Sequence, residues 1–534
     1  MTIDLHKRQS GVLLHITSLP GPHGIGDFGP EAFHFVDWLQ SAGQSIWQWL
    51  PSTPIGPGES PYQGVSAFAG SPWMVALEPL VEKGWLATPV PPEGGFDASR
   101  VEYGRVLPWR EQQLRAAAAG FFAKAQPHER EAYEGWCVSQ RHWLQDYALF
   151  MAIRSPNAGA GPSQAGLTPS GGAGRTRPAG GASFNGQPWW EWPRDLAARE
   201  PRALETAREQ FADEVSFWQF VQWCFDVQVG ALKAYANQRG VNIMGDLPIF
   251  VAHDSADCWA RPDLYELDEH FQTTVVAGVP PDAMSAAGQR WGNPMYRWEK
   301  MSHEHFAWWT ARVQRMLSSA DVFRIDHFRG FAAYYEIPGD SPDATRGVWK
   351  TGPGKALFDA IAKSLGELPI VAEDLGFITP DVHELRDALN YPGMKILQFG
   401  FGGDGGHEFL PHNWPRASVC YTGTHDNDTV RGWWNQASAH ERAYAASYLA
   451  CGDADIHWAM IRACANSVAN VAVYPLQDVL GLGSEHRMNI PGILGGNWEW
   501  RFTWDMVGAE PGRVLGLIAA TSGRAPIALA GLPE

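Results

Sequence analysis

The sequence predicts an α/β protein, a (β/α)8 TIM barrel with large helical and loop insertions at the C-terminal face of its strands. Three observations carry that prediction. Eight short apolar runs have the length of buried strands, helical periodicity separates the later ones, and charged or amide residues recur where the runs end.

The runs are 11–16, 45–50, 241–247, 321–327, 369–375, 394–401, 418–424 and 470–477, each rich in β-branched or aromatic residues. Stretches 379–390 and 440–451 carry a helical pattern, so strand and helix alternate as a parallel barrel requires. Asp246 closes the third run, Arg324 and Asp326 the fourth, and Glu373 and Asp374 the fifth. Gln398 closes the sixth, His425 and Asp426 the seventh, and Gln477 and Asp478 the eighth. Barrel sites occupy the C-terminal ends of strands, so this recurrence points to one shared pocket.

The chain therefore reads as a single catalytic barrel over 1–534 with two insertions. The first, 71–240, has amphipathic helical stretches at 110–125, 129–154 and 201–239 and reads as a helical subdomain over the barrel mouth. Within it, 155–186 is a low-complexity run of Gly, Ala, Ser and Pro that buries too little apolar surface to order itself and reads as a flexible loop. The second, 251–300, contains Val279-Pro280-Pro281-Asp282 and Gln289-Arg290-Trp291-Gly292-Asn293-Pro294. Its Pro and Gly content reads as a structured loop and not a strand, arching over the pocket.

Composition narrows the partners. A chain of 534 residues, 45% hydrophobic and 19% charged, is a globular protein with a large core. A net charge of -17 excludes a nucleic-acid or anionic-membrane partner, because no basic patch offsets it, while a neutral carbohydrate suffers no such repulsion. The 26 tryptophans and 14 tyrosines suit sugar stacking, although core packing accounts for most of them. Six scattered cysteines with no Cys-x-x-Cys pair, no histidine cluster at zinc spacing, a polar start and no run of ~18 apolar residues predict a cytoplasmic protein with neither metal nor cofactor.

The chemistry sits in three motifs. Retaining cleavage of a glycosidic bond needs two carboxyls about 5–5.5 Å apart, one ionised and one protonated. In Val322-Phe323-Arg324-Ile325-Asp326-His327, Arg324 and Asp326 share a face, so the guanidinium holds the carboxylate ionised and aimed, as a nucleophile requires. A structural ion pair at the rim is the competing reading. In Ala372-Glu373-Asp374-Leu375-Gly376, burial beside negative charge raises the pKa of Glu373 and suits a proton donor, whereas Asp374 faces the other way to cap the next turn. In Thr422-Gly423-Thr424-His425-Asp426-Asn427-Asp428 the chain turns, leaving His425 and Asp426 either to bond sugar hydroxyls or to cap the following helix.

With these motifs assembled, the chain resembles the 4-alpha-glucanotransferase (amylomaltase) family of the alpha-amylase superfamily, from about Gly11 to Arg501. Further matching segments are Gly11-Val12-Leu13-Leu14-His15, Glu59-Ser60-Pro61-Tyr62-Gln63, Gly245-Asp246-Leu247-Pro248 and Arg487-Met488-Asn489-Ile490-Pro491. The resemblance implies Asp326 as nucleophile, Glu373 as acid/base and Asp426 as transition-state stabiliser. It implies sugar contacts from Ser60, Tyr62, Asp246, Gln289, Trp291, Arg324, His425 and Asn489. Maltooligosaccharides and amylose or glycogen-derived glucans are the implied donors and acceptors. Segment 155–186 looks like an addition to the family's shorter form, and nothing specific matches after about Met506. The residues alone leave open a hydrolase with the same three acids and a non-catalytic glucan-binding barrel.

Overall fold

In a computed structural model the described residues are 4–155, 186–281, 285–493 and 495–526. Eight parallel strands form the expected barrel: β1 (Gln9–Leu13), β2 (Ile46–Gln48), β3 (Asn242–Leu247), β4 (Val322–Ile325), β5 (Ile370–Ala372), β6 (Gly393–Ile396), β7 (Ser418–Tyr421) and β8 (Val471–Pro475). The order is β6-β7-β8-β1-β2-β3-β4-β5. The remaining seam is bridged where the Ala372 N–H donates to the Pro392 carbonyl at 2.9 Å.

Alternation along each strand sorts its side chains into two cores. Leu13, Ile46, Met244, Val322, Val371, Met394, Val419 and Val471 fill the barrel interior. Val12, Trp47, Ile243, Phe323, Ile370, Cys420 and Ala472 face the surrounding helices. On the inward face the apolar residues give way to charge toward the strand ends: Met244 is followed by Asp246, Val322 by Arg324 and Asp326, Val371 by Glu373. The apolar plug thus forms the floor of the site.

The outer helices bury one stripe each. In Pro30–Ser41, Ala32, Phe35, Val36 and Leu39 are buried at helical spacing, and the helix starts with proline at its first position, where a missing N–H does no harm. Leu39→Ala there costs about 2–5 kcal/mol. Between β2 and β3 run Tyr103–Lys124, Pro127–Ser139, Arg141–Arg154, Pro201–Gln210 and Ala212–Gln238. The patterns at 129–154 and 201–239 each resolve into two helices, breaking at Gln140 and Phe211, neither of which announces a break by composition. The long helix is tied to the segment following Tyr62 by two buried carboxamides. Gln222 accepts from Gly70 N–H at 2.7 Å and donates to its carbonyl at 2.8 Å, and Gln228 does the same with Ala76 at 2.7 and 3.0 Å.

The strand ladders stop earlier than the apolar runs. Residues 397–401 form part of a 3-10 helix, Leu397–Gly402, and positions 326 and 373 lie one residue past their strands, where their N–H groups still donate to the Leu247 and Ile325 carbonyls of the neighbouring strands at 3.0 and 3.1 Å. The insertion 251–300 corrects its expectation as a loop without strands. Val275–Val279 and Gln289–Pro294 pair antiparallel and join Ala333–Pro338 and Val348–Thr351 in a four-stranded side sheet. The turn-forming Pro280, Pro281 and Gly288 sit between the two strands, and Pro294 ends an edge strand, where a missing donor is tolerated. Asp282 and residues 156–185, which held the expected flexible loop, lie outside the described residues. Among the described residues no helix is long and apolar enough to cross a membrane.

Candidate active site

Tyr62, Asp246, Arg324 and Asp326 form one network. Asp246 and Arg324 are register partners on β3 and β4, both pointing inward. Arg324 Nε donates to both Asp246 oxygens at 3.1 Å, and Nη2 donates to Asp246 Oδ2 at 2.8 Å and to Asp326 Oδ1 at 2.9 Å. The Tyr62 hydroxyl donates to Asp246 Oδ2 at 2.7 Å. The side chain of Arg324 is 5% exposed, that of Asp246 0% and that of Asp326 31%, so the network ends in one reachable carboxylate. Burial opposes the charge on Arg324, but Asp246, Tyr62, Asp326 and Glu373 outweigh it and hold its pKa well above the ordinary value. Burial raises Asp326 to about 6, against the pull of Arg324 and with Asp246 and Asp426 adding to the rise.

Glu373 follows β5 on the inward face. Its Oε2 accepts the His327 N–H at 2.7 Å and its Oε1 accepts the Leu375 N–H at 2.9 Å. Burial and then the charge of Asp326 raise its pKa to about 8, against Arg324 and the two N–H groups. Of the two acids, Glu373 holds its proton to the higher pH. His327 reaches it from a left-handed conformation, φ 52°, rare for a side-chain-bearing residue and typical of functional sites.

The third acid comes from the turn after β7. Thr424 N–H and Oγ1 donate to Asn427 Oδ1 at 2.8 and 2.9 Å, which forms the turn, and a Cβ at Gly423 would lie 2.6 Å from Gln398 Nε2. Thr429 caps the next helix, accepting from Gly432 N–H at 3.0 Å, so His425 and Asp426 are free of that role. Asp426 is 49% exposed, and its Oδ1 accepts from Asn489 Nδ2 at 2.6 Å and lies 3.3 Å from His425 Nε2. His425 is buried, stacks on Tyr62 at 5.3 Å and 8°, and has its pKa lowered by burial despite Asp426.

These groups line one cleft of about 1270 Å³. Ser60, Tyr62, Gln289, Trp291, Arg324, Asp326, Glu373, His425, Asp426 and Asn489 all face it, while Asp246 lies beneath Arg324 and is not among the lining residues. Gln289, Arg290, Trp291 and Asn293 all line the cleft from an edge strand whose pairing register shifts between Arg290 and Pro294, so simple alternation does not sort its side chains. Trp291 Nε1 donates to Gln289 Oε1 at 3.1 Å, and its ring meets His327 edge-on at 4.8 Å. Ser60 Oγ accepts the Tyr62 N–H at 3.3 Å, which fixes the turn presenting that tyrosine.

Other acids and amides expected at the strand ends serve the scaffold. Asp374 does not cap the next turn: its Oδ1 accepts the Met394 N–H at 2.7 Å and its Oδ2 pairs with Arg386 at 2.5 Å, joining β5 to β6. Asp478 accepts from Thr422 Oγ1 at 2.6 Å and Val430 N–H at 2.7 Å, and Gln398 donates to the Asp428 carbonyl at 2.8 Å. Sequence reasoning gave no role to His327 or to Trp498, which packs near Tyr62 at 5.8 Å and His425 at 5.9 Å. The place of His327 beside Asp326 in a matching motif was the available signal. Among the described residues one cluster of potential metal-ligating atoms, His23, Asp27 and Glu78, does not line the cleft, and Arg110 already supplies a cation 3.0 Å from Asp27.

The family model described as 4-alpha-glucanotransferase matches residues 14–506. The 4-alpha-glucanotransferase of Thermus thermophilus is 46% identical over 525 residues, 97% of this chain and 99% of that protein. The chloroplastic/amyloplastic 4-alpha-glucanotransferase of Solanum tuberosum is 40% identical over 97% of this chain and 87% of its own length. The structure of the amylomaltase from Streptococcus agalactiae in complex with acarbose superposes with a TM-score of 0.88 at 34% identity, covering 97% of this chain and all 100% of that one. A barrel whose strand ends gather three acids around an Arg-held carboxylate, and whose sequence matches these relatives nearly end to end, belongs to the 4-alpha-glucanotransferase family, enzymes of the glycosyltransferase type.

Proposed function

We propose that the chain transfers a segment of an α-1,4-glucan to the 4-hydroxyl of glucose or another glucan by a retaining double displacement. Asp326 is the nucleophile: its free carboxylate oxygen bonds to the anomeric carbon as the bond to the departing glucan breaks. Glu373 gives its proton to the departing 4-oxygen. It then takes the proton of an incoming 4-hydroxyl, whose oxygen displaces Asp326 and restores the original configuration. Asp426, exposed and held by Asn489, stabilises the charge that develops on the sugar ring. Asp246 acts from beneath by holding Arg324, and Tyr62, Gln289, Trp291, His425 and Ser60 position the sugars.

The observation that carries this reading is the split environment of the two acids, one facing a guanidinium at 2.9 Å with its pKa at about 6, the other held by two backbone N–H groups with its pKa raised to about 8. Maltooligosaccharides and amylose or glycogen-derived glucans are the donors and acceptors. Six unpaired cysteines support a reducing, cytoplasmic setting. Incubation with maltotriose tests the assignment: longer oligosaccharides plus glucose support transfer, whereas shorter sugars alone make the chain a hydrolase.

A further inference from the structure

Phe377 is 65% exposed and Trp349 36% exposed, yet both line the cleft. Isolated exposed apolar residues are ordinary on a protein surface, and two aromatic rings arranged together at the rim of a carbohydrate cleft are not. The two come from separate elements, Phe377 from the loop after β5, four residues past Glu373, and Trp349 from the outer strand Val348–Thr351 of the side sheet. Their planes lie 24° apart with centroids separated by 6.3 Å. The guanidinium of Arg329, a residue only 4% exposed, lies 3.8 Å from the Trp349 centroid and 5.9 Å from that of Phe377, and its Nη1 donates to the Phe377 carbonyl. A buried cation thus pins both the tryptophan ring and the backbone carrying the phenylalanine, so the rings are preorganised rather than loosely displayed.

We propose that Phe377 and Trp349, held by Arg329, form a stacking platform for a glucose unit of a long α-1,4-glucan, beyond the sugars that flank the scissile bond. Apolar faces of the sugar cover the rings and displace water from surface the fold leaves open. The platform makes Phe377 and Trp349 determinants of preference for glucan length, and Arg329 a positioning residue that acts through them. This inference rests on the reading of the cleft as an α-1,4-glucan site.

The test compares KM for maltotriose with KM for maltoheptaose in wild type, Phe377→Ala, Trp349→Ala and Phe377→Tyr. Each alanine variant is expected to raise KM for maltoheptaose about tenfold more than KM for maltotriose, the loss of one aromatic contact, while Phe377→Tyr keeps the wild-type ratio. An unchanged ratio in both alanine variants overturns the platform. Wild-type products from maltotriose judge the underlying reading separately: if wild type transfers and the ratio does not move, only the platform falls.

Discussion

The guanidinium of Arg324 lies 2.9 Å from the carboxylate of Asp326, two residues along the same inward face, and the same Nη2 donates to Asp246 at 2.8 Å. The cation is fixed before any sugar arrives, so a carboxylate acting as the proposed nucleophile needs little reorganisation to react. Replacing Arg324 by Met removes the influence that holds the Asp326 pKa down, and the acid limb of kcat/KM is expected to move about 1–3 pH units higher. A pH–rate profile with an unmoved acid limb contradicts this.

The pH profile of the wild type follows from the same pair. In the proposed double displacement Asp326 acts ionised and Glu373 protonated, so activity is expected to fall as pH drops through about 6 and to fall again as pH rises through about 8. Asp326 is one cause of the raised Glu373 pKa, and Asp326→Asn is therefore expected to lower it. Carbon-13 NMR of the Glu373 carboxyl reads that shift directly.

Asn489 donates to Asp426 at 2.6 Å and aims a side chain that is otherwise half in solvent. Asn489→Ala is expected to reduce kcat by about 10²-fold with a smaller change in KM, because misplacing a transition-state contact costs rate more than ground-state affinity. Steady-state kinetics on maltotriose separate the two parameters.

Gln222 satisfies both backbone groups of Gly70 from a side chain that is 0% exposed. Gln222→Leu leaves that N–H and carbonyl unpaired in the core and is expected to destabilise the fold by about 2–4 kcal/mol. The loss shows as a lowered thermal midpoint with the barrel's far-ultraviolet dichroism intact below it.

The barrel was legible because its signal repeats: each strand places an apolar residue inward before a polar one, and the acids Asp326 and Glu373 keep the alternation of Val322 and Val371 one residue past their strands. What escaped was settled by partners distant in sequence. The strand Gln289–Pro294 carries turn-forming residues that read as a loop until Val275–Val279 pairs with it. Asp374 read as a cap because its real partners, Met394 and Arg386, lie 20 and 12 residues away. His327 gave little local sign that its backbone, at φ 52°, would hold the proton donor. Nothing in the local sequence set Phe377 and Trp349 apart from the other aromatics; the fold leaves them exposed on one rim.

In the proposed double displacement Asp326 becomes covalently attached to the sugar. Glu373→Gln enzyme is mixed with maltotriosyl fluoride, whose leaving group needs no proton donor, then quenched and digested for mass spectrometry. A maltotriosyl adduct on the peptide at Asp326 is the predicted result. An adduct on Asp246 or Asp426, or none while the fluoride is still consumed at the cleft, contradicts the account.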